Sequence, residues 1–323
     1  MNRMVGEYTH PTKKDLTVED LTSNPISQRP PLAELLILAG PTIVQMASYT
    51  LMQFVDTMML SRVGVVEATA AGQGGLLSFS AICFGVGVLW IVNTLASQNF
   101  GARRFELCGR HLWQGFYFAV AYSALLAPAM WLAKYPFHFF RHSPVLAAME
   151  ESYFRVTIAF TLVKLLGTAS GQFMLAVNRP GIVLASAVMG VMANALAAWA
   201  LIFGHLGFSP HGVLGSAWGQ NIGVAVETAF LLAVTFTPWM RRTYATLDVR
   251  LRWREWLLLL KIGSGSGIQL VGDILAWSLF GMWVIGRFGD PAMAANNYMM
   301  KYMAVSFMPG VGMGVAVTAL VGR

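Results

Sequence analysis

Leu35–Gly64, LLILAGPTIVQMASYTLMQFVDTMMLSRVG, decides the fold. The stretch is long enough to cross a hydrocarbon core of about 30 Å, for which roughly 20 apolar residues suffice. It holds one carboxylate, Asp56, with no basic residue after it until Arg62. A charge buried in a bilayer costs at least roughly 2.5–3.5 kcal/mol on insertion scales, so such a group normally faces a polar interior. Gly40-Pro41 interrupts the backbone hydrogen bonding of the same helix. An apolar span with a break and one acid reads as part of a conduction or coupling path.

Composition extends this to the whole chain. Of 323 residues, 56% are apolar and 11% charged, where soluble domains carry about 25% charged residues. The chain is expected to be an all-α polytopic membrane protein. Its net charge of +7 does not imply nucleic acid, because the basic residues gather in alternate loops. Lys13, Lys14, Arg103, Arg104 and the cluster Arg241–Arg254 fall on the side of the N-terminus, whereas Arg62, Lys134, Arg141 and Arg287 face the other way. The positive-inside rule then puts the N-terminus in the cytoplasm. Cys83 and Cys108 lie in or beside apolar spans at no metal-like spacing and read as structural.

The chain divides in order into a polar cytoplasmic tail (1–30), a six-span N-terminal bundle (31–237), a basic cytoplasmic linker (238–255) and two further spans (256–323). Span two begins near Ala70, span three near Leu112 and span four near Tyr153 with Lys164 inside. Asn178-Arg179-Pro180 makes a tight connection, since residues before proline leave helical geometry. Span five carries Asn194; span six carries Gln220 and Glu227. Span seven holds Asp273 and span eight Lys301. A buried asparagine also serves as interhelical glue, and Lys164 and Glu227 either pair or snorkel.

Sliding the chain on itself by 225 positions, Gly64 onto Gly289, aligns spans one and two with seven and eight without a gap. The Arg-x-Gly turn (Arg62/Arg287) and the Gly-Val-Gly triplet (Gly85–Gly87/Gly310–Gly312) fall in register. Six spans per repeat return the chain to the same side, which makes a parallel repeat about an axis along the membrane normal. Arg323 aligns with Gln98, and a complete duplication would run to about residue 450. The expectation is therefore eight transmembrane helices of twelve, in two bundles with the second incomplete and the chain truncated at its C-terminus.

The segments FVDTMMLSRVG, TLASQNFGARR, NRPGIVL, GHLGFSPHGVLGSAWG and MPGVGMGVAVTALVG, in this order and spacing, resemble the multidrug and toxic compound extrusion (MATE) transporters, in the bacterial NorM-like branch. The resemblance covers nearly all of the chain beyond residue 30. It implies two six-helix bundles around a V-shaped cavity in the bacterial inner membrane. It also implies export of small cationic and amphiphilic compounds in exchange for H+ or Na+, with no further cofactor. By the same resemblance Asp56 matches the acid of the first helix and Asn194 the fifth-helix asparagine of a proton or cation site. Gln220 falls near a sixth-helix polar position, and Asp273 matches a seventh-helix acid, often Glu, for substrate or a second ion. One turn after Asn194, where many members have Asp, this chain has Ala198.

Competing readings are weaker. A lipid-linked oligosaccharide flippase of the same superfamily would favour a basic cavity for phosphates, against the two acids here. An inactive truncated transporter is the other alternative. Gly310-Val-Gly-Met-Gly is no nucleotide fingerprint, because it lies in an apolar span with no strand before it. His138 and His142 have helical spacing but no accompanying acid, so no metal site is expected. No Walker motif and no intramembrane catalytic constellation marks an enzyme. The basic run Arg241–Arg254 reads as a topology determinant in a loop, with anionic lipid in reach.

Overall fold

The computed structural model describes residues 31–133, 144–279, 284 and 290–322. The N-terminal tail, Lys134, His138, Arg141, His142 and the Arg287–Gly289 turn lie outside the described residues, as does the side chain of Lys301. The described chain is eleven helices with no strand: α1 (Pro31–Ser61), α2 (Val65–Gly101), α3 (Phe105–Leu126), α4 (Ala129–Leu132), α5 (Pro144–Ala159), α6 (Thr161–Ala176), α7 (Pro180–Phe203), α8 (Gly212–Thr235), α9 (Pro238–Tyr244), α10 (Trp253–Leu279) and α11 (Asp290–Gly322).

Among the described residues, five spans are long and apolar enough to cross a membrane: Val65–Gly101, Phe105–Leu132, Pro180–Phe203, Gly212–Thr235 and Trp253–Trp277. The expected fourth span is not one straight helix. It starts at Pro144 and is broken near Phe160 into α5 and α6, which meet at 50°. The first and eighth expected spans correspond to the 31-residue α1, with Pro41 inside it, and the 33-residue α11, with Pro309.

Local chemistry explains the ends of α7. Asn178 takes a left-handed φ of 62°, Pro180 occupies the first turn and Gly204 closes the helix at φ 77°. Proline is preset for a first turn, and glycine alone enters the left-handed cap without strain. The faces of α7 are sorted as bilayer burial requires. Met192 and Leu196 are 60% and 66% exposed, while Ser186 and Asn194 are fully buried. Apolar groups face outward and polar ones inward, where other helices satisfy them.

The internal repeat is visible as geometry. A Cβ on Gly87 in α2 would stand 2.7 Å from the Cα of Gly267 in α10. Shifted by 225, Gly87 becomes Gly312, and a Cβ there would stand 2.7 Å from the Cα of Ile43 in α1. Ile43 is the shifted partner of Ile268, the neighbour of Gly267. The α2–α10 and α1–α11 seams therefore use equivalent levels of the two repeats, each closed by a glycine.

The basic stretch after α8, read from the sequence as a loop, is a loop only in part. It contains α9 and is then strapped to α3 by one helical face: Arg110, Trp113, Gln114 and Tyr117. Trp113 Nε1 donates to the Thr246 carbonyl at 2.8 Å, and Gln114 Nε2 donates to the Arg250 carbonyl at 3.2 Å. Gln114 Oε1 accepts the Arg252 amide at 3.2 Å, and the Tyr117 hydroxyl donates to the Val249 carbonyl. Asp248 pairs with both Arg110 and Arg252, at 3.2 and 3.1 Å. Slight burial pushes the Asp248 carboxyl up, but the hydrogen bond from Arg252 and the charges of Arg252 and Arg110 outweigh it and hold it below the usual carboxylate range. A lowered acid stabilises above its unfolded value of about 3.9 and loses that contribution only as pH falls through the lower folded value. The strap is therefore at full strength at neutral pH. Gln114→Ala is expected to expose Arg250 and Arg252 to trypsin several-fold faster, with cleavage at Arg241 unchanged. An unaltered digestion pattern would show that other contacts hold the strap.

Candidate functional site

A dense polar cluster lies where α1, α5, α7 and α8 meet. α7 and α8 approach closely along Gly215, Gly219 and Gly223, one residue per turn of α8. A Cβ on Gly219 would stand 2.7 Å from the Ala198 Cα, and one on Gly223 would stand 2.7 Å from the Asn194 Cβ and from the Gly190 carbonyl oxygen. Small residues at this spacing let two backbones touch. Ala198 belongs to this seam: its methyl lies against Gly219, so the small side chain is what allows contact at that level.

The seam presents Asn194 to α1. Asn194 Nδ2 donates to Asp56 Oδ1 at 3.1 Å and to Oδ2 at 3.4 Å. Asp56 is 3% exposed and Asn194 fully buried. The Ser216 hydroxyl of α8 also approaches the carboxylate, beyond ordinary hydrogen-bond geometry. One turn further along α8, Gln220 Oε1 accepts the Tyr153 hydroxyl of α5 at 2.6 Å. Three buried polar atoms remain without a hydrogen-bond partner here: Asn194 Oδ1, Ser216 Oγ and Gln220 Nε2. Buried orphans of this kind cost about 1–3 kcal/mol each and call for an explanation.

The donor set is chemically coherent. Carboxylate, amide oxygen and hydroxyl are hard oxygen ligands, suited to a proton or a hard cation. Among the described residues no group of three His, Cys, Asp or Glu side chains could hold a transition metal. Cys83 and Cys108 are buried free thiols.

Of the four residues selected from the sequence, Asp56 and Asn194 are thus joined directly, whereas Gln220, one turn beyond Ser216 on α8, bonds Tyr153 of α5. Asp273 is exposed on α10, and no described hydrogen bond or ion pair links it to the other three. Ser216 and Tyr153 have no sequence signal of their own. The only pointer is the row Gly215-xxx-Gly219-xxx-Gly223, which marks the α8 edge that must lie on a partner helix.

Comparison with known proteins agrees with this architecture. The MatE family model matches residues 41–200. The chain is 25% identical over 292 residues to "Probable multidrug resistance protein NorM" of Mesorhizobium japonicum, covering 89% of this chain and 62% of that protein. It is 28% identical over 313 residues to the protein of the same name from Deinococcus radiodurans, covering 92% and 65%. The fold is similar to the outward-facing conformation of a multidrug resistance MATE family transporter of the MOP superfamily, with a TM-score of 0.77 at 18% identity, over 88% of this chain and 63% of that one. The chain thus spans under two thirds of the length of these relatives. With the family model lying across α1 to α7, the chain belongs to the MatE family.

Proposed function

We propose that the chain acts as a secondary antiporter exporting small amphiphilic, cationic compounds in exchange for H+ or Na+ across the bacterial inner membrane, with its N-terminus cytoplasmic. The observation that carries this is the buried Asp56–Asn194 pair with its orphaned oxygens, Asn194 Oδ1 and Ser216 Oγ. Support comes also from the names of the relatives and from the loop charge asymmetry. Asp56 is the residue that takes the coupling ion. Asn194 orients the carboxylate, Ser216 completes the oxygen set, and Gln220 with Tyr153 fixes α8 against α5. Asp273, on the exposed face of α10, meets substrate or a second ion.

A bound ion moves an equilibrium only if it binds one state better than the other. α1 is suited to having two states, because Gly40-Pro41 weakens its hydrogen bonding. An ion on Asp56 removes the charge that holds the Asn194 amide and so changes how α1 seats on α7.

The test is ethidium release from proteoliposomes of this chain under an imposed H+ or Na+ gradient. Release is expected to follow one of the two gradients and to stop when it is collapsed. Release that ignores both gradients would rule out antiport.

A further inference from the structure

The strap on α3 runs beside an apolar span, not beyond its end. Trp113 and Tyr117, which bond it, lie eight and twelve residues after Phe105, where the span Phe105–Leu132 begins. That is roughly 12–18 Å along the helix. Irregular backbone at such a depth persists only where protein satisfies its polar groups. The α3 face does this for the carbonyls of Thr246, Val249 and Arg250 and for the amide of Arg252.

What α3 leaves uncovered is an apolar row. Leu247, Val249, Leu251 and Trp253, at alternate positions, are 54%, 49%, 50% and 60% exposed, whereas Thr246 is buried and Asp248 and Arg252 are bonded to each other. Single exposed apolar side chains are ordinary, but four along one edge mark a surface that meets lipid or protein. Trp253 opens the next apolar span, Trp253–Trp277, and stacks on Trp256 with ring centroids 5.0 Å apart. Tryptophan concentrates where a bilayer meets water. Charge identifies the partner. Arg250 and Arg254 are exposed along the same segment. Its two acids do not offset them at the surface: Asp248 is held by Arg110 and Arg252, and Glu255 Oε2 is buried. Apolar side chains interleaved with exposed guanidinium groups at the edge of a bilayer suit a lipid with an anionic headgroup.

We propose that residues 247–254 form a binding site for an anionic phospholipid. The apolar row enters the boundary between headgroups and acyl chains, and Arg250 and Arg254 hold the phosphate. The sequence puts anionic lipid in reach of the whole basic run; the alternation of bonded and exposed residues assigns it to this edge. Because the segment connects α8 to α10, a bound lipid also holds the link between the two repeats against α3. The inference is independent of ion coupling at Asp56.

Native mass spectrometry of the purified chain, titrated with phosphatidylglycerol or phosphatidylcholine, tests it. The wild type is expected to retain phosphatidylglycerol about tenfold more tightly. Arg250→Gln with Arg254→Gln is expected to abolish that preference, and Arg250→Lys with Arg254→Lys to keep most of it. Arg62→Gln, which removes a charge at the far end of α1, is expected to leave it unchanged. Leu247→Ser with Leu251→Ser is expected to weaken retention of both lipids several-fold. Excess inorganic phosphate is expected not to displace phosphatidylglycerol. Equal retention of the two lipids by the wild type would overturn the proposal, as would an intact preference in the double glutamine variant. Displacement by phosphate would make the edge a free-anion site. A dimer mass that the double serine variant abolishes would assign the row to a second copy of the chain. Either of these last results also overturns the lipid assignment.

Discussion

Asp56→Asn is expected to reduce gradient-driven release of ethidium to the level of empty vesicles while leaving the chain folded and at least as stable as the wild type. The two effects have opposite signs because they come from different states of one group. Asp56 is 3% exposed, and its direct hydrogen-bond donor among the described residues is the neutral amide of Asn194. An intramembrane carboxylate with no cationic partner carries a penalty of roughly 2.5–3.5 kcal/mol. Asparagine has nearly the same shape and can pair with Asn194 amide to amide, so up to about 1–3 kcal/mol of that penalty is recovered. An amide neither takes up a proton near neutral pH nor supplies charge to a hard cation, so ion exchange stops. Thermal unfolding in detergent checks the first half and reconstituted release the second. Unchanged release with Asn at position 56 would remove Asp56 from the coupling site.

Gly219→Val is expected to cause a large loss of stability by forcing α7 and α8 apart. A Cβ at 219 would stand 2.7 Å from both the Cα and the amide nitrogen of Ala198. The obstacle is backbone, which cannot swing aside like a side-chain tip, so the helices must separate. Overpacking of this kind costs about 3 kcal/mol or more. Separation also breaks the placement of Asn194 on Asp56 and of Gln220 on Tyr153. Low yield and a lowered unfolding temperature are expected. Gly72→Ala serves as the contrast: no atom lies within 4 Å of that Cβ position. There the gain in helix propensity, up to about 1 kcal/mol, is the only effect. Equal behaviour of the two variants would mean that α7 and α8 are not held by close backbone contact.

Part of this site is legible in the amino-acid sequence alone. Asp56 and Asn194 stand out because polar groups in apolar spans are costly, and an acid inside one span must meet something on another. The internal repeat is legible for a related reason: glycines where two helices touch cannot be replaced by larger residues, and Gly87 and Gly312 are such positions. Ser216 and Tyr153 are hidden, since serine and tyrosine are unremarkable in a membrane helix until a partner's position is known. The break between α5 and α6 is hidden too, because Ala159-Phe160-Thr161 contains neither proline nor glycine. The strap over 246–252 reads as a free basic loop because its bonds go to carbonyls and amides, which every residue has.

The sequence by itself determined that the chain is a set of membrane helices, in which order they run and which of them carry a charge. Transfer into the bilayer is close to additive along a helix, so a window of about 20 residues carries that information locally. Only the tertiary structure decided which polar groups share a site. The Asp56–Asn194 bond spans 138 positions, and it exists because three glycines on α8 let α7 come close enough to face α1. The same packing left Asp273, the other acid selected from the sequence, exposed on α10 and away from that pair. Contacts of that range depend on the distance of closest approach between backbones, a property of pairs of helices that no single segment contains.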